Sequence, residues 1–335
     1  MGADGSILVT GGAGYIGSHA AKVLAGAGRR VVVYDDLSAG HREAVRWCDL
    51  VVGDIHDGAR LAETLRGHRV TAVMHFAALA SVADSVRDPS GYYRTNVEGT
   101  LAVLRAMLAC SVRQFVFSST AAVYGNPEET PISEGHPTRP INAYGETKLA
   151  VEQALAHFDG AYGLRSVVLR YFNAAGADPD GELGEDHRPE HHLIPRAIDA
   201  ALGGDGLPVF GEDYPTPDGT CLRDYVHVTD LADAHVRALQ RLEQGGGSTA
   251  YNLGNGTPFS VRQDVEAVER VSGSPVAWTA APRRAGDPAV LFASSARIRE
   301  ALGWRPRFAE LDAIVESAWR WRTAHPQGFA GGRNG

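Results

Sequence analysis

Short runs of apolar, largely β-branched residues alternate with stretches of helical periodicity along the first half of the chain. Residues 7–10, 31–34, 50–52, 72–76, 115–118 and 166–170 carry the apolar runs and read as strands. Between them, residues 16–25, 59–65, 95–109 and 144–157 repeat apolar positions at helical spacing. Apolar runs without polar alternation suit strands covered on both faces, hence a parallel sheet. Strand–helix alternation then implies right-handed crossovers and a doubly wound α/β layer.

After Arg170 the pattern changes. Residues 173–190 and 203–219 are rich in Gly, Asp and Pro. Helical spacing returns at 231–242, 261–271, 295–302 and 311–322, with short strand candidates near Val209, Tyr251 and Val276. This predicts a smaller mixed α+β domain leaning against the carboxyl ends of the strands. The expected division is residues 1–172 with part of 220–255 for the parallel-sheet domain, and residues 173–219 with 256–330 for the second. Gly245-Gly246-Gly247 reads as a surface loop and the Gly-rich tail from Phe329 as a frayed end.

Composition narrows the function classes. The chain has 335 residues, with 32 Lys+Arg against 40 Asp+Glu and a net charge of −8. That balance, without any basic run, excludes a nucleic-acid surface. Three cysteines (Cys48, Cys110, Cys221) without a CxxC pair exclude a disulfide scaffold or a cysteine zinc site and fit a reducing compartment. No apolar run approaches the roughly 20 residues that span a bilayer. A cytoplasmic protein with no membrane partner is expected. Residues 1–6 satisfy the loose N-myristoylation pattern. They are read as ordinary chain, because Ser6 opens into a strand and no basic second signal follows.

Candidate chemistry begins directly after the first strand, at Gly11-Gly12-Ala13-Gly14-Tyr15-Ile16-Gly17. Gly11, Gly14 and Gly17 permit a tight turn, backbone approach to a pyrophosphate, and close helix–strand packing. The helix N-terminus adds its partial positive charge. Asp35, at the end of the second strand, can accept hydrogen bonds from an adenosine ribose and would repel a 2′-phosphate, which selects NAD over NADP. Asp36 fits a turn role as well as a ribose one. Asp54-Ile55 after the third strand would flank the adenine, and Phe76-Ala77-Ala78 after the fourth would lie along the dinucleotide.

Tyr144 and Lys148 stand four apart on a predicted helix and so share one face. A Tyr of pKa ~10 needs about three units, or ~4 kcal/mol, to act as a base near pH 7. An ammonium within ~4 Å contributes about that much at an effective dielectric near 20. Thr120, in Ser118-Ser119-Thr120 at the end of the fifth strand, can orient a substrate hydroxyl beside Tyr144.

The glycine motif, Asn96, Ser118-Ser119-Thr120 and Tyr144-x-x-x-Lys148 together resemble an extended short-chain dehydrogenase/reductase. The strings Tyr171-Phe172-Asn173, Phe210-Gly211-x-Asp213-Tyr214-Pro215-Thr216-x-Asp218-Gly219-Thr220, Arg223-Asp224-Tyr225 and Arg284-x-Gly286-Asp287 closely match UDP-galactose 4-epimerases. The resemblance implies an NAD-binding Rossmann sheet with a C-terminal UDP-sugar domain. It also implies a homodimer joined through the helices 95–109 and 144–157. By that similarity Tyr144 takes the proton of the sugar 4′-hydroxyl, Lys148 lowers the Tyr144 pKa, and Thr120 contacts the 4′-oxygen. NAD is expected to remain bound through each turnover, contacted by Gly11, Gly14, Tyr15, Ile16, Gly17, Asp35, Asp36, Ser38, Asp54, Ile55, Phe76, Ala77, Ala78, Asn96, Ser118, Tyr144, Lys148 and Tyr171. The UDP-sugar falls to Thr120, Tyr144, Asn173, His192, Leu193, Phe210, Arg223, Arg284, Asp287 and Leu291. Arg223 and Arg284 suit pyrophosphate, since guanidinium forks match its oxygens; Arg283 beside Arg284 leaves that register open by one.

Three positions depart from the family pattern. Ala80 falls where many members have a Lys near the NAD phosphates. His192 falls where many have Asn, within His187-x-x-x-His191-His192; a metal there is set aside for want of a matching carboxylate or Cys spacing. Leu291 falls at the pocket position thought to gate N-acetylhexosamines, and its intermediate size predicts preference for UDP-glucose and UDP-galactose with weak or partial tolerance of an N-acetyl group. UDP-N-acetylhexosamine, UDP-pentose and UDP-uronate 4-epimerases stay open on the same fold. A dehydratase needs an acid pair just after Thr120, where Ala121-Ala122 stands. A non-catalytic NAD sensor predicts loss of the Tyr/Lys pair, which is intact.

Overall fold

A computed structural model describes residues 5–283 and 288–329. From the N-terminus run β1 (Ser6–Thr10), α1 (Tyr15–Gly26), β2 (Arg30–Asp35), β3 (Asp49–Val52), α2 (Gly58–Gly67) and β4 (Val70–His75). Two short helices, α3 (Val82–Arg87) and α4 (Pro89–Tyr92), and a π-helical turn (Tyr93–Gly99) precede α5 (Thr100–Ala109). Next come β5 (Gln114–Thr120), α6 (Ala143–Tyr162), β6 (Arg165–Tyr171), β7 (Asn173–Ala175) and α7 (Leu193–Ala201). The chain continues through β8 (Leu207–Phe210), β9 (Leu222–Arg223), β10 (Tyr225–His227), α8 (Val228–Glu243) and β11 (Thr249–Leu253). It ends in β12 (Phe259–Ser260), α9 (Val261–Ser272), β13 (Trp278–Ala281), β14 (Val290–Leu291), α10 (Ala296–Leu302) and α11 (Leu311–Ala324).

Seven strands form one parallel sheet in the order β11-β6-β5-β4-β1-β2-β3. Side chains alternate between its faces, as pleating requires. Ile7, Val9, Val31 and Val33 face a core closed by Leu24 of α1 and by Leu231 and Leu239 of α8. Leu8, Val32 and Tyr34 face the opposite core with Leu61 of α2, Leu104 and Met107 of α5, and Val151 and Leu155 of α6. Both faces are therefore apolar, which is why the strands read as unbroken apolar runs. A third core joins α7, α9 and α11 through Ile194, Ile198, Val265, Val268, Ile314 and Val315, with Val209 of β8 and Tyr225 of β10.

Chain order reverses between β1 and β4, and ligands of open α/β sheets bind outside the carboxyl strand ends at such a point. Here the two loops touch: a Cβ on Gly11 would lie 2.4 Å from the Ala77 nitrogen. The predicted helix 95–109 runs unbroken into α5 but begins as a π-helical stretch, Tyr93–Gly99, around Asn96. Helix α7 was not among the predicted elements; Pro195 stands in its first turn, where proline is tolerated. No helix among the described residues is long and apolar enough to cross a membrane.

Candidate active site

The cofactor cleft starts at the glycine loop. Gly11 has φ +70°, a conformation costly for other residues. A Cβ on Gly17 would lie 2.2 Å from the Gly11 carbonyl oxygen, so Gly17 is what lets α1 lie against β1. Gly14 differs: a Cβ there would meet only the Gly11 oxygen, at 3.4 Å. It caps α1, whose first turn carries no acidic residue and no capping side chain. The first-turn N–H groups have no intrahelical acceptors, and the dipole favours an anion beside them. This open, uncapped helix end fits a dinucleotide pyrophosphate.

Asp35 is nearly buried, and one carboxylate oxygen accepts from the Ala13 N–H (2.9 Å) while the other accepts from Leu37 (2.9 Å). Burial holds its carboxyl above the usual range, and those two amides pull it back. Each oxygen keeps a lone pair for a ribose hydroxyl. Asp36 closes its own turn on the Ser38 N–H (2.9 Å) and hydroxyl (2.6 Å). Asp54 does the same with the His56 N–H (2.8 Å), and Ile55 is buried against the α2–α5 core, so neither side chain is directed at a ligand by its recorded contacts. Phe76 and Ala77 donate their N–H groups to the Thr10 carbonyl (2.9 and 3.1 Å), which sets residues 76–78 along the glycine loop. The π turn points Asn96 inward: its amide donates to Leu79 O (3.0 Å) and Thr147 Oγ1 (3.1 Å), and its oxygen accepts from the Leu79 N–H (2.8 Å). Asn96 thus locks the loop after β4 onto α6. Ala80 is exposed on that loop.

The catalytic candidates meet at the carboxyl edge of β5. Asn142 caps α6 by accepting from the Gly145 N–H (2.9 Å), so that Tyr144 enters on the first turn. Burial pushes the Tyr144 phenol up to about 12, and the Thr120 hydroxyl beside it acts in the lowering direction. Lys148 donates to the Ser118 carbonyl (3.0 Å), with its Nζ 5.9 Å from the centre of the Tyr144 ring. Burial lowers Lys148 to about 8, and the charge of Glu152 opposes that. The Lys148 ammonium therefore stands near the Tyr144 ring, on the helix face that the four-residue spacing predicts. Ser118 Oγ is hydrogen-bonded to the Tyr171 hydroxyl, which ties β5 to β6.

Sequence reading missed Glu152 and Arg170. Glu152 follows Tyr144 and Lys148 at the same four-residue spacing and is chelated by Arg170 from β6 (Nε at 3.1 Å from both oxygens). Ser119 donates to Glu152 (2.5 Å), and Arg170 donates to the Tyr124 hydroxyl (2.8 Å). The spacing was a visible signal; the partner on β6 was not.

Toward the second half of the chain, Asn173 donates its side-chain amide to Asp224 O (3.0 Å) on the edge of the cleft. Arg223 donates to the carbonyls of Leu222 (2.8 Å) and Pro288 (2.9 Å), contacts the sequence did not foretell for a pyrophosphate ligand. Phe210 ends β8, and Leu193 opens α7 behind its cap residue His192. The Glu185 charge pushes His192 up to about 9. Leu291 packs with Phe172 and Leu149 on Ala121, Val123 and Tyr124, directly behind Thr120. Arg283 stacks on Tyr214 (4.3 Å) and pairs with Asp213 (2.6 Å), so it is committed to the surface. Arg284 and Asp287 lie outside the described residues. Spacing had given no carboxylate for the histidines near 190, but Glu185 and Glu190 stand against His187 and His192.

Residues 7–254 match the NAD dependent epimerase/dehydratase family. The chain belongs to this family. A UDP-glucose 4-epimerase of Rhizobium meliloti (strain 1021) is 53% identical over 326 residues, 97% of this chain and 99% of that protein. The crystal structure of UDP-glucose 4-epimerase from Brucella ovis in complex with NAD has 54% identity and a TM-score of 0.93, over 94% of this chain and 97% of that one. A UDP-glucose 4-epimerase from Stenotrophomonas maltophila, with bound NAD and formylated UDP-arabinopyranose, has 41% identity and a TM-score of 0.93, over 96% of this epimerase-family chain and 98% of that one.

Proposed function

We propose that this chain interconverts UDP-glucose and UDP-galactose by epimerising C4 of the hexose through a transient 4-keto sugar, with NAD held tightly throughout. One observation carries the reading: the Thr120 hydroxyl and the Tyr144 phenol meet beside Lys148 at the end of β5, in a chain similar over its whole length to UDP-glucose 4-epimerases. When bound, NAD supplies the acceptor for the C4 hydrogen and a positively charged ring beside the phenol. Tyr144 takes the 4′-hydroxyl proton and later returns it, and Thr120 holds the 4′-oxygen in line. With burial keeping Tyr144 near 12, the phenol is the resting form, and removing its proton depends on the cations around it. Lys148 supplies one of them.

Asn173, His192, Leu193, Phe210 and Arg223, with Arg284 and Asp287, are assigned to the UDP moiety, while Leu291 and Phe172 bound the sugar space. Residues 1–172 with part of 220–255 hold NAD, and residues 173–219 with 256–330 hold the nucleotide sugar. The protein works as a cytoplasmic homodimer joined through the helices 95–109 and 144–157. The test is to incubate the purified protein with each UDP-sugar, without added NAD, and separate the products. UDP-glucose and UDP-galactose are expected to interconvert; no conversion by protein that carries NAD would overturn the assignment. Turnover of UDP-N-acetylglucosamine as fast as UDP-glucose would overturn the sugar preference drawn from Leu291.

A further inference from the structure

Two Glu-x-His triplets follow each other between β7 and α7: Glu185-Asp186-His187 and Glu190-His191-His192. The fold turns all four outer side chains toward one point. His187 Nδ1 lies 3.0 Å from Glu185 Oε1 and 3.8 Å from Glu190 Oε2. His192 Nδ1 sits against the same Glu185 oxygen and 3.6 Å from Glu190 Oε1. The four donor atoms all lie within 4.8 Å of one another. The Glu185 and Glu190 side chains are 5% and 14% exposed, and among the described residues their ion pairs are with these two imidazoles. Asp186 is turned elsewhere, toward His41 and Arg188.

We propose that Glu185, His187, Glu190 and His192 form a binding site for one first-row divalent transition ion, zinc being the best match. Tetrahedral bonds of about 2.0–2.2 Å place ligand atoms roughly 3.3–3.6 Å apart, and the separations here bracket that range. Two imidazole and two carboxylate donors select zinc and its neighbours over calcium or magnesium, which take oxygen ligands. A divalent ion also balances the two carboxylates with both imidazoles neutral. The other convergence of acids in the molecule shows the contrast. Asp178, Asp180 and Glu182 surround the Lys22 ammonium at 2.7, 2.9 and 2.6 Å, so a protein cation already occupies their centre.

The position gives the ion a structural task. His192 caps α7, and the His187 ring meets the edge of Tyr15 (6.2 Å) at the start of α1. Tyr15 itself donates to the Gly176 carbonyl (2.5 Å) at the head of the same segment. The ion fastens residues 185–192 between the glycine loop and α7. Because His192 is also assigned to the UDP moiety, the ion would steady that edge of the nucleotide site whichever hexose is turned over.

The test uses tag-free chain freed of metal by chelation and dialysis, titrated with zinc by calorimetry and with cobalt by visible absorption. The wild type is expected to take up one equivalent of zinc, to show the intense visible bands of tetrahedral cobalt, and to melt at higher temperature with zinc present. His187→Ala and Glu190→Gln, which leave Glu185 and His192 in place, are expected to weaken zinc binding at least tenfold. His191→Ala, whose side chain is outside the cluster, is expected to bind as the wild type does. Absence of stoichiometric uptake by the wild type would overturn the site, as would zinc affinity in His187→Ala equal to the wild type. Because binding and melting are the readouts, neither result depends on epimerase activity.

Discussion

Tyr144 is held in its neutral form by burial, and its proton becomes mobile only with positive charge close by. Replacing it with Phe removes the hydroxyl and keeps the ring against Tyr92, 6.4 Å away. Tyr144→Phe is therefore expected to fold and to co-purify with NAD, while kcat falls about 10²–10⁴-fold, the usual worth of a general acid–base group. Full activity in that variant would remove Tyr144 from the mechanism. Glu152 acts one turn further along α6, and its charge opposes the burial that pulls Lys148 down to about 8. Without that charge the Lys148 pKa falls further, and Arg170 on β6 is left to repel it. Tyr171 on β6 and His75 on β4 complete the titratable surroundings of Lys148. Glu152→Gln is expected to move the alkaline limb of the kcat–pH profile to lower pH. Breaking a buried pair also costs about 3–5 kcal/mol, which denaturant melts would show. An unmoved alkaline limb would show that Glu152 does not tune Lys148.

At the scale of elements, the glycine loop separates two demands that its sequence motif merges. Gly17 is required for packing, because a Cβ would meet backbone at 2.2 Å, whereas Gly14 leaves open space at the uncapped end of α1. Gly17→Ala is expected to destabilise the fold by about 1–3 kcal/mol, as overpacking does. Gly14→Ala is expected to melt near the wild-type temperature but to lose co-purified NAD, measured by absorbance after release. Equal NAD content in the two proteins would contradict this. The motif was legible because strand, turn and helix are contiguous. The π turn around Asn96 was not, since widening one turn of an amphipathic run leaves its periodicity almost unchanged and only the contacts with Leu79 and Thr147 reveal its direction.

Across the whole molecule, the two-sided sheet buries titratable groups whose protonation resists or favours folding. Burial lowers His19 and His235 to about 4, and His75 and His227 to about 3. A histidine with a depressed folded pKa contributes stability above its unfolded value near 6.5, and that contribution is lost as pH falls toward 3–4. Asp224, raised to about 7, and Asp264, raised well above its ordinary value, work the other way, because burial favours their protonated form in the fold. Their stabilisation is complete below pH 3.8 and disappears as pH rises through the folded pKa. Near pH 5 each of these histidines draws a proton onto the unfolded chain, whereas Asp224 and Asp264, with Asp35, Asp230 and Glu190 shifted the same way, favour the protonated fold and oppose that loss. Each histidine is expected to cost roughly 1.4 kcal/mol of stability per pH unit below pH 6, read as a shallower pH dependence of urea melts in His235→Gln than in the wild type. An unchanged pH dependence between pH 6 and 4.5 in that variant would mean that His235 titrates normally.

What the sequence determined by itself is everything local in the chain. Unbroken apolar runs specified strands buried on both faces. Gly11, Gly14 and Gly17 marked the strand-to-helix turn, and Tyr144 with Lys148 declared a shared helix face because helical geometry relates neighbours four apart. The tertiary structure decided what depends on partners far along the chain. It brought Thr120 beside the Tyr144 phenol and Lys148 near its ring, closed Arg170 onto Glu152, and packed Leu291 against Ala121, Val123 and Tyr124 after β5. It also turned Glu185, His187, Glu190 and His192 toward one another, a convergence that irregular backbone leaves unreadable from spacing. Charge and burial act through space, so a pKa or a ligand set belongs to the folded neighbourhood rather than to the order of residues.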